Sequence, residues 1–285
     1  MNAPRPWALL ALLALALAGT ATARAPESVR KQVEASMLLT GSIDIAPDGS
    51  VGGYAIDHDD QLPDYVRAYL AREVPGWKFA PVLVDGRAVR ARSRMSLRMV
   101  ATPAGDGNFK VTVGGVSFGE YNDEATDQVT RGRLSPPAYP PEAYRVGGKG
   151  AVYLVLRVGR DGKVEDAVVE QVNLTAIGDE RQMGQLRRRL GDASLRAARH
   201  WTFRTPTTGE AADDASWSVR VPVAFHLADD REPEYGTWQA YLPGPRQRAP
   251  WITEEGAGSP DALAGDGVYP MGGGIRLLTP LQRQG

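Results

Sequence analysis

The sequence predicts an α+β protein built from two β-β-α-β units, each a small antiparallel sheet packed on a helix. Three observations carry that expectation. Apolar and polar residues alternate over several short segments, the period-two pattern of half-buried strands. Asp48-Gly49 and Asp161-Gly162 each join two such segments, and glycine supplies the positive φ that tight hairpin turns require. The order hairpin, helix, Trp-x-Phe, strand then occurs twice, with Trp77 and Phe79 before Pro81 and with Trp201 and Phe203 before Pro206. The matched order reads as a tandem duplication. The expected boundaries are a leader over 1–23, a first unit over 24–101, a linker over 102–133, a second unit over 134–228 and a tail over 229–285.

The leader comes first. Arg5 precedes an apolar run, Trp7 to Gly19, and Ala21-Thr22-Ala23 follows. A basic start, a short apolar core and a small-residue site describe a secretory signal peptide, cleaved after Ala23. A retained membrane anchor is the competing reading, but the run falls short of the ~20 residues that a spanning helix needs.

In the first unit Leu39, Ile43 and Ile45 alternate into the Asp48-Gly49 turn, and Val51 to Ile56 returns. A helix from about Gln61 to Val74 carries Leu62, Val66, Tyr69, Leu70 and Val74 at helical spacing. Asp60 is its expected cap, and Pro63 is tolerated in a first turn. After the Trp77–Phe79 elbow, a strand is expected from Ala88 to Met99. The linker holds a small hairpin turning at Gly114-Gly115.

The second unit repeats the plan. Val152, Leu154, Leu156 and Val158 share one face of a strand, Asp161-Gly162 turns the chain, and Val164 to Gln171 returns. A polar helix is expected from Glu180 to His200, interrupted at Gly191-Asp192, where Asp192 would cap a second short helix. Trp217, Val219, Val221, Val223 and Phe225 alternate along the closing strand, with Arg220 on its other face. The tail is rich in Pro, Gly and charge without a sustained period, so it is expected to be disordered or loosely attached.

Composition narrows the chemistry. Lys+Arg number 33 against 34 Asp+Glu, so net charge gives no reason to expect nucleic acid or a membrane surface as partner. With no cysteine, disulfides, thiolate metal sites and cysteine nucleophiles are excluded. An exported chain without disulfides fits a bacterial periplasm. Asp57-His58-Asp59-Asp60 has the residue types of a metal site, but adjacent strand residues point to opposite sides and Asp60 serves the helix. His200 reads as a helix-end residue favoured by the dipole, and His226 as an outer-face residue of the last strand. Gly147 to Gly150 precedes a strand and lacks the following Ser or Thr of a phosphate loop. Trp77, Phe79, Trp201 and Phe203 read as core anchors that seat each helix on its sheet. The expectation is a non-enzymatic protein with no cofactor and no metal.

Tyr139-Pro140, Gly150-x-Val152, Asp161-Gly162-x-Val164, Ala197-Ala198, Trp201-x-Phe203 and Val221-Pro222-Val223 form an ordered set. That set resembles the C-terminal domain of the TonB family over about residues 134–227, and the first half is similar to a degenerate second copy without the Tyr-Pro opening. The resemblance implies a periplasmic protein in TonB-type energy transduction and outer-membrane transport. Its implied partner is an extended segment of an outer-membrane receptor, the TonB box, or of another periplasmic protein. The partner would be added as a strand to a sheet edge, whose unpaired N–H and C=O groups its backbone satisfies. The implied contacts are Trp217, Val219, Val221, Val223 and Phe225 on the edge strand, with Pro136, Tyr139 and Pro140. Pro136 stands where the family's transducer carries glutamine, and proline donates no hydrogen bond. The family's transducers also keep an N-terminal membrane helix with a Ser/His pair, then a Pro-rich rod. Trp7–Gly19 holds neither Ser nor His, and no such rod follows. The same edge can also pair with a second copy of itself, making a homodimer.

Overall fold

The computed structural model describes residues 33–281 apart from 106–107, 120, 177, 232, 253–257, 266 and 273, so the expected leader lies outside the described residues. In the first half β1 (Glu34–Ile45) and β2 (Val51–Ile56) form the hairpin, followed by α1 (Asp64–Glu73). A short hairpin of β3 (Val82–Val84) and β4 (Arg87–Val89) precedes β5 (Ala91–Gly105) and β6 (Asn108–Phe118). In the second half come β7 (Thr130–Arg131), α2 (Pro141–Arg145), β8 (Gly150–Gly159), β9 (Val164–Leu174), α3 (Glu180–Ala198), β10 (Phe203–Arg204) and β11 (Ser216–Phe225). The tail adds β12 (Gln239–Tyr241) and β13 (Tyr269–Met271).

Each unit is an antiparallel sheet with one face against its helix. β1 lies between β2 and β5 in the first, and β8 between β9 and β11 in the second. Met37, Leu39, Ile43 and Ile45 of β1 bury against Val66 and Leu70 of α1. Val152, Leu154, Leu156 and Val158 of β8 bury against Met183, Leu186 and Leu190 of α3. Each such side chain, taken out of water, contributes roughly 1.5–3 kcal/mol.

The two hairpin turns meet their elbows by the same bonds. Phe79 N–H donates to the Gly49 carbonyl at 2.8 Å, and Phe203 N–H to the Gly162 carbonyl at 2.7 Å. Gly49 and Gly162 have φ of 77° and 74°, and a Cβ at either would run into the carbonyl of Phe79 or Phe203. Asp48 accepts from the N–H of Ser50, and Asp161 from that of Lys163, each at 3.0 Å. Trp77, Phe79, Trp201 and Phe203 are all buried.

Four expectations need correcting. α1 starts at Asp64 with Pro63 at its N-cap, and Asp60 belongs to a separate 3-10 turn, Asp59–Gln61. Proline's fixed φ defines the helix start there without a side-chain cap. α3 runs unbroken through Gly191-Asp192, because Gly191 lets the helix approach β9, where a Cβ would sit 3.2 Å from Val169. Its cap is Asp179, in a reciprocal box with Gln182. Inside the supposed linker lies β6, a fourth strand of the first sheet that contributes Val113 and Val116 to its core. Gly114-Gly115 is no turn there: the register shifts at that point, and the bulge keeps both valines facing inward.

The tail is the fourth. Instead of hanging loose, it joins the two units. β12 pairs with the start of β1, from Glu34↔Tyr241 to Ser36↔Gln239. Leu242 then exchanges backbone bonds of 3.0 and 2.9 Å with Leu174 of β9. Further on, Leu277 bridges to Phe79 of the first elbow. Tyr241, Leu242, Ala262 and Val268 are buried, so the tail's sparse apolar residues are spent on contacts that no local period reveals. Between the sheets it carries a polar seam. Arg98 of β5 donates to the Asp261 carbonyl at 2.7 Å and to Ser36 Oγ at 3.2 Å. Asn173 of β9 donates to the Tyr241 hydroxyl at 2.7 Å, and that hydroxyl donates to the Asp261 carboxylate. Burial, then the Asp261 charge, pushes the Tyr241 phenol well above its ordinary range.

Candidate functional site

β11 pairs along its whole length with β8, from Ser216↔Gly159 to Phe225↔Gly150. Among the described residues, its outer side is paired only by β13, at Ser218↔Met271, Val219↔Pro270 and Arg220↔Tyr269. Pro222 lies in β11, as proline is tolerated in edge strands, where the missing N–H can face outward. The matching strand of the first unit differs. β5 is paired by β6 from Met95↔Phe118 to Gly105↔Asn108, so that edge is closed from Met95 onward.

The sequence-predicted contacts divide in two. Val219, Val221, Val223 and Phe225 are buried in the second core, with Trp217 packed at its margin. Trp217 Nε1 donates to the Ala211 carbonyl at 2.8 Å. These side chains face α3, so what β11 presents at its edge is backbone, together with the opposite face of Ser218, Arg220, Pro222 and Ala224. The alternation was read correctly, but the buried face is the one expected to meet a partner.

The Tyr-Pro opening does come to the strand. Tyr139 stands edge-on to Phe225 with ring centroids 5.3 Å apart, and its hydroxyl donates to the Gly148 carbonyl at 2.5 Å. Burial, followed by the Asp230 charge, pushes the Tyr139 phenol up. Pro140 is buried as the N-cap of α2, while Pro136 is exposed. Trp201 Nε1 donates to the Ser135 carbonyl at 2.7 Å, so the elbow anchor also ties down the segment next to Pro136. Asp161 and Gly162 sit at the hairpin turn under Phe203, away from the β11 edge, and are structural. His58 holds a left-handed turn with φ of 49° and packs its ring against Tyr235.

Sequence reasoning missed the outer face of the second sheet. There a β-bulge between Tyr153/Leu154 and their partners leaves Glu170 as the extra residue of β9, aimed at Arg220. Both side chains are buried, and Arg246 from the tail reaches the same carboxylate. The signal was one charge of each sign on the two strands that flank β8, at positions where a solvated face needs neither. Sequence reasoning also missed β13.

Among the described residues, no helix is long and apolar enough to cross a membrane. No family model matches the chain. Two curated TonB proteins, from two strains of Xanthomonas campestris pv. campestris, are each 33% identical to it over 103 residues. That stretch is 36% of this chain and 40% of theirs, so the chain spans well under half the length of the curated relatives it matches. Among solved structures, the solution NMR structure of the Pseudomonas aeruginosa TonB C-terminal domain is similar at 17% identity. The match covers 39% of this chain and 99% of that one, with a TM-score of 0.27. The chain carries a TonB C-terminal-like domain.

Proposed function

With a TonB C-terminal-like domain as premise, we propose that the second unit binds an extended segment of a partner protein as an added strand on β11, in TonB-type transport at the outer membrane. The observation that carries this is the contrast between the edges: β5 is sealed by eleven-residue β6, while β11 is covered by three residues of β13. A backbone edge so thinly covered is open to strand addition. The first unit is a duplicated copy that has lost this capacity and serves as a scaffold. The protein acts without catalysis, in the periplasm, after export on a cleaved leader, and an outer-membrane receptor is its partner. Pro136 and Tyr139 flank the end of the added strand, and Ser218 and Ala224 supply selectivity.

Hydrogen exchange at amides 217–225 tests this, using a TonB-box peptide as probe. Slower exchange on adding peptide, at fixed protein concentration, is the expected result. Slowing that follows protein concentration alone would mean self-pairing into a homodimer, and no slowing under either condition would remove edge-strand binding altogether.

A further inference from the structure

Charge is balanced over the whole chain, but not over α3, which carries five arginines against Glu180 and Asp192. Arg181, Arg188, Asp192 and Arg196, with Arg199 at the C-cap, are exposed and follow one another at intervals of seven, four, four and three. That spacing puts them in one stripe on the side of the helix turned away from the sheet. From Arg181 to Arg199 the stripe is about 27 Å long at the usual helical rise. Among the described residues, none of these four arginine side chains takes part in an ion pair or a hydrogen bond. The helix dipole favours Arg196 and Arg199 near the C-terminus, but it opposes Arg181 in the first turn and does nothing for Arg188 in the middle.

Exposed apolar groups stand beside this stripe. Arg189 pairs with Glu142 of α2 at 2.8 Å, which sets the short helix alongside the long one. Gly148, just beyond α2, lies so near Leu186 of α3 that a Cβ there would run into it. Between these two contacts Tyr144 is 56% exposed and Val146 68%. The Tyr144 ring is held edge-on to Tyr139, with centroids 5.7 Å apart, so it is fixed in place without being covered. An acidic protein surface would answer the arginines and leave this pair idle. The headgroup layer of a bilayer answers both, since phosphates meet cations there while aromatic and aliphatic side chains enter the interface.

We propose that this face docks on an anionic phospholipid surface, with Arg181, Arg188, Arg196 and Arg199 at lipid phosphates and Tyr144 and Val146 in the headgroup layer. Guanidinium forks suit phosphate oxygens, and the attraction grows with each arginine and is screened by salt. Docking through the outer side of α3 leaves the backbone edge of β11, which lies in the plane of the sheet, open to a partner. The face is independent of strand addition.

Flotation of the full chain with vesicles of equal parts phosphatidylglycerol and phosphatidylcholine is the test, with pure phosphatidylcholine vesicles as control. Binding to the anionic vesicles is expected to be stronger by on the order of tenfold and to fade as salt is raised. Arg188→Gln, Arg196→Gln and Arg199→Gln together should weaken it on the order of tenfold, whereas lysine at the same three positions should keep most of it. The docking face is read separately. Because the chain has no cysteine, Val146→Cys and Leu83→Cys each carry a single polarity-sensitive dye. Anionic vesicles should raise its fluorescence at residue 146 and leave it unchanged at residue 83, on the first unit's short hairpin. Absence of binding, equal binding to both vesicle types, or an affinity unchanged by the three glutamines overturns the proposal. So does a dye response at residue 83 that matches or exceeds the one at residue 146. Polyglutamate that displaces the chain from vesicles without any dye response at residue 146 would assign the face to an acidic protein instead. If thermal melts show that the glutamine variant is compromised, the pair of dye positions decides alone.

Discussion

Gly162 and Gly49 are each confined twice, by a left-handed φ and by an elbow carbonyl in the space a side chain would need. Gly162→Ala and Gly49→Ala should each destabilise the protein by about 2 kcal/mol, read as a lower urea midpoint with unchanged slope, since strain of this kind costs about 1–3 kcal/mol. Trp201→Ala should cost about 3–5 kcal/mol if the ring is core, and Trp77→Ala the same. A loss well under 1 kcal/mol with binding abolished would make Trp201 a ligand contact instead. The turn aspartates respond to acid. The backbone N–H of Lys163 holds the Asp161 carboxyl below its ordinary value of 3.8, and bonds from the Ser50 hydroxyl and N–H do the same for Asp48. A carboxylate lowered by folding adds stability above its unfolded value and loses it as pH falls through the folded one. Asp48→Asn with Asp161→Asn should therefore flatten the decline in urea midpoint below pH 3.8 and leave its slope near neutrality unchanged. The Asp-Gly turns and Trp-x-Phe elbows were legible because their chemistry is local. That each glycine touches its own elbow was not, because only the closed fold brings them together.

At the scale of elements, the strands and helices with strong periods were readable, and their errors have common causes. Gly191 looks like a break in a polar helix until β9 is placed against it. β6 looks like two short strands until its bulge is matched to β5. β11 was expected to be an edge, and β13 lies outside it over three pairs; alternation alone cannot say which of its faces is buried. β13 holds that edge through three pairs, one of them at Pro270, which has no N–H to give. Removing residues 265–285 should speed exchange at amides 218–220. It should also tighten TonB-box peptide binding on the order of tenfold, because the partner no longer competes with a tethered strand. Met271→Pro should act in the same direction while sparing the contacts of Leu277. Weaker peptide binding in both variants would mean that β13 helps to form the site instead of covering it.

For the whole molecule, the least legible part was the tail, which has no pattern of its own because each of its short segments completes some other element. Thr40 N–H donates to the Tyr235 hydroxyl across 195 residues, and Lys78 N–H donates to Thr279 Oγ1 across 201. Such closures have a consequence in time. Contacts between distant parts of a chain form slowly, because loop-closure entropy is spent before they return anything. Each hairpin, helix and elbow can condense from neighbours, whereas the seam must wait for residues near the far end. Refolding should therefore show a late phase reported by Trp238, whose Nε1 donates to the Tyr65 hydroxyl at 2.7 Å, after an earlier one reported by Trp201. A chain ending at Leu227 should lose the late phase and keep the early one, and synchronous single-phase refolding of the full chain would contradict this order. Until that last step, the molecule is two nascent units on one thread. The end of the chain then closes the seam between them.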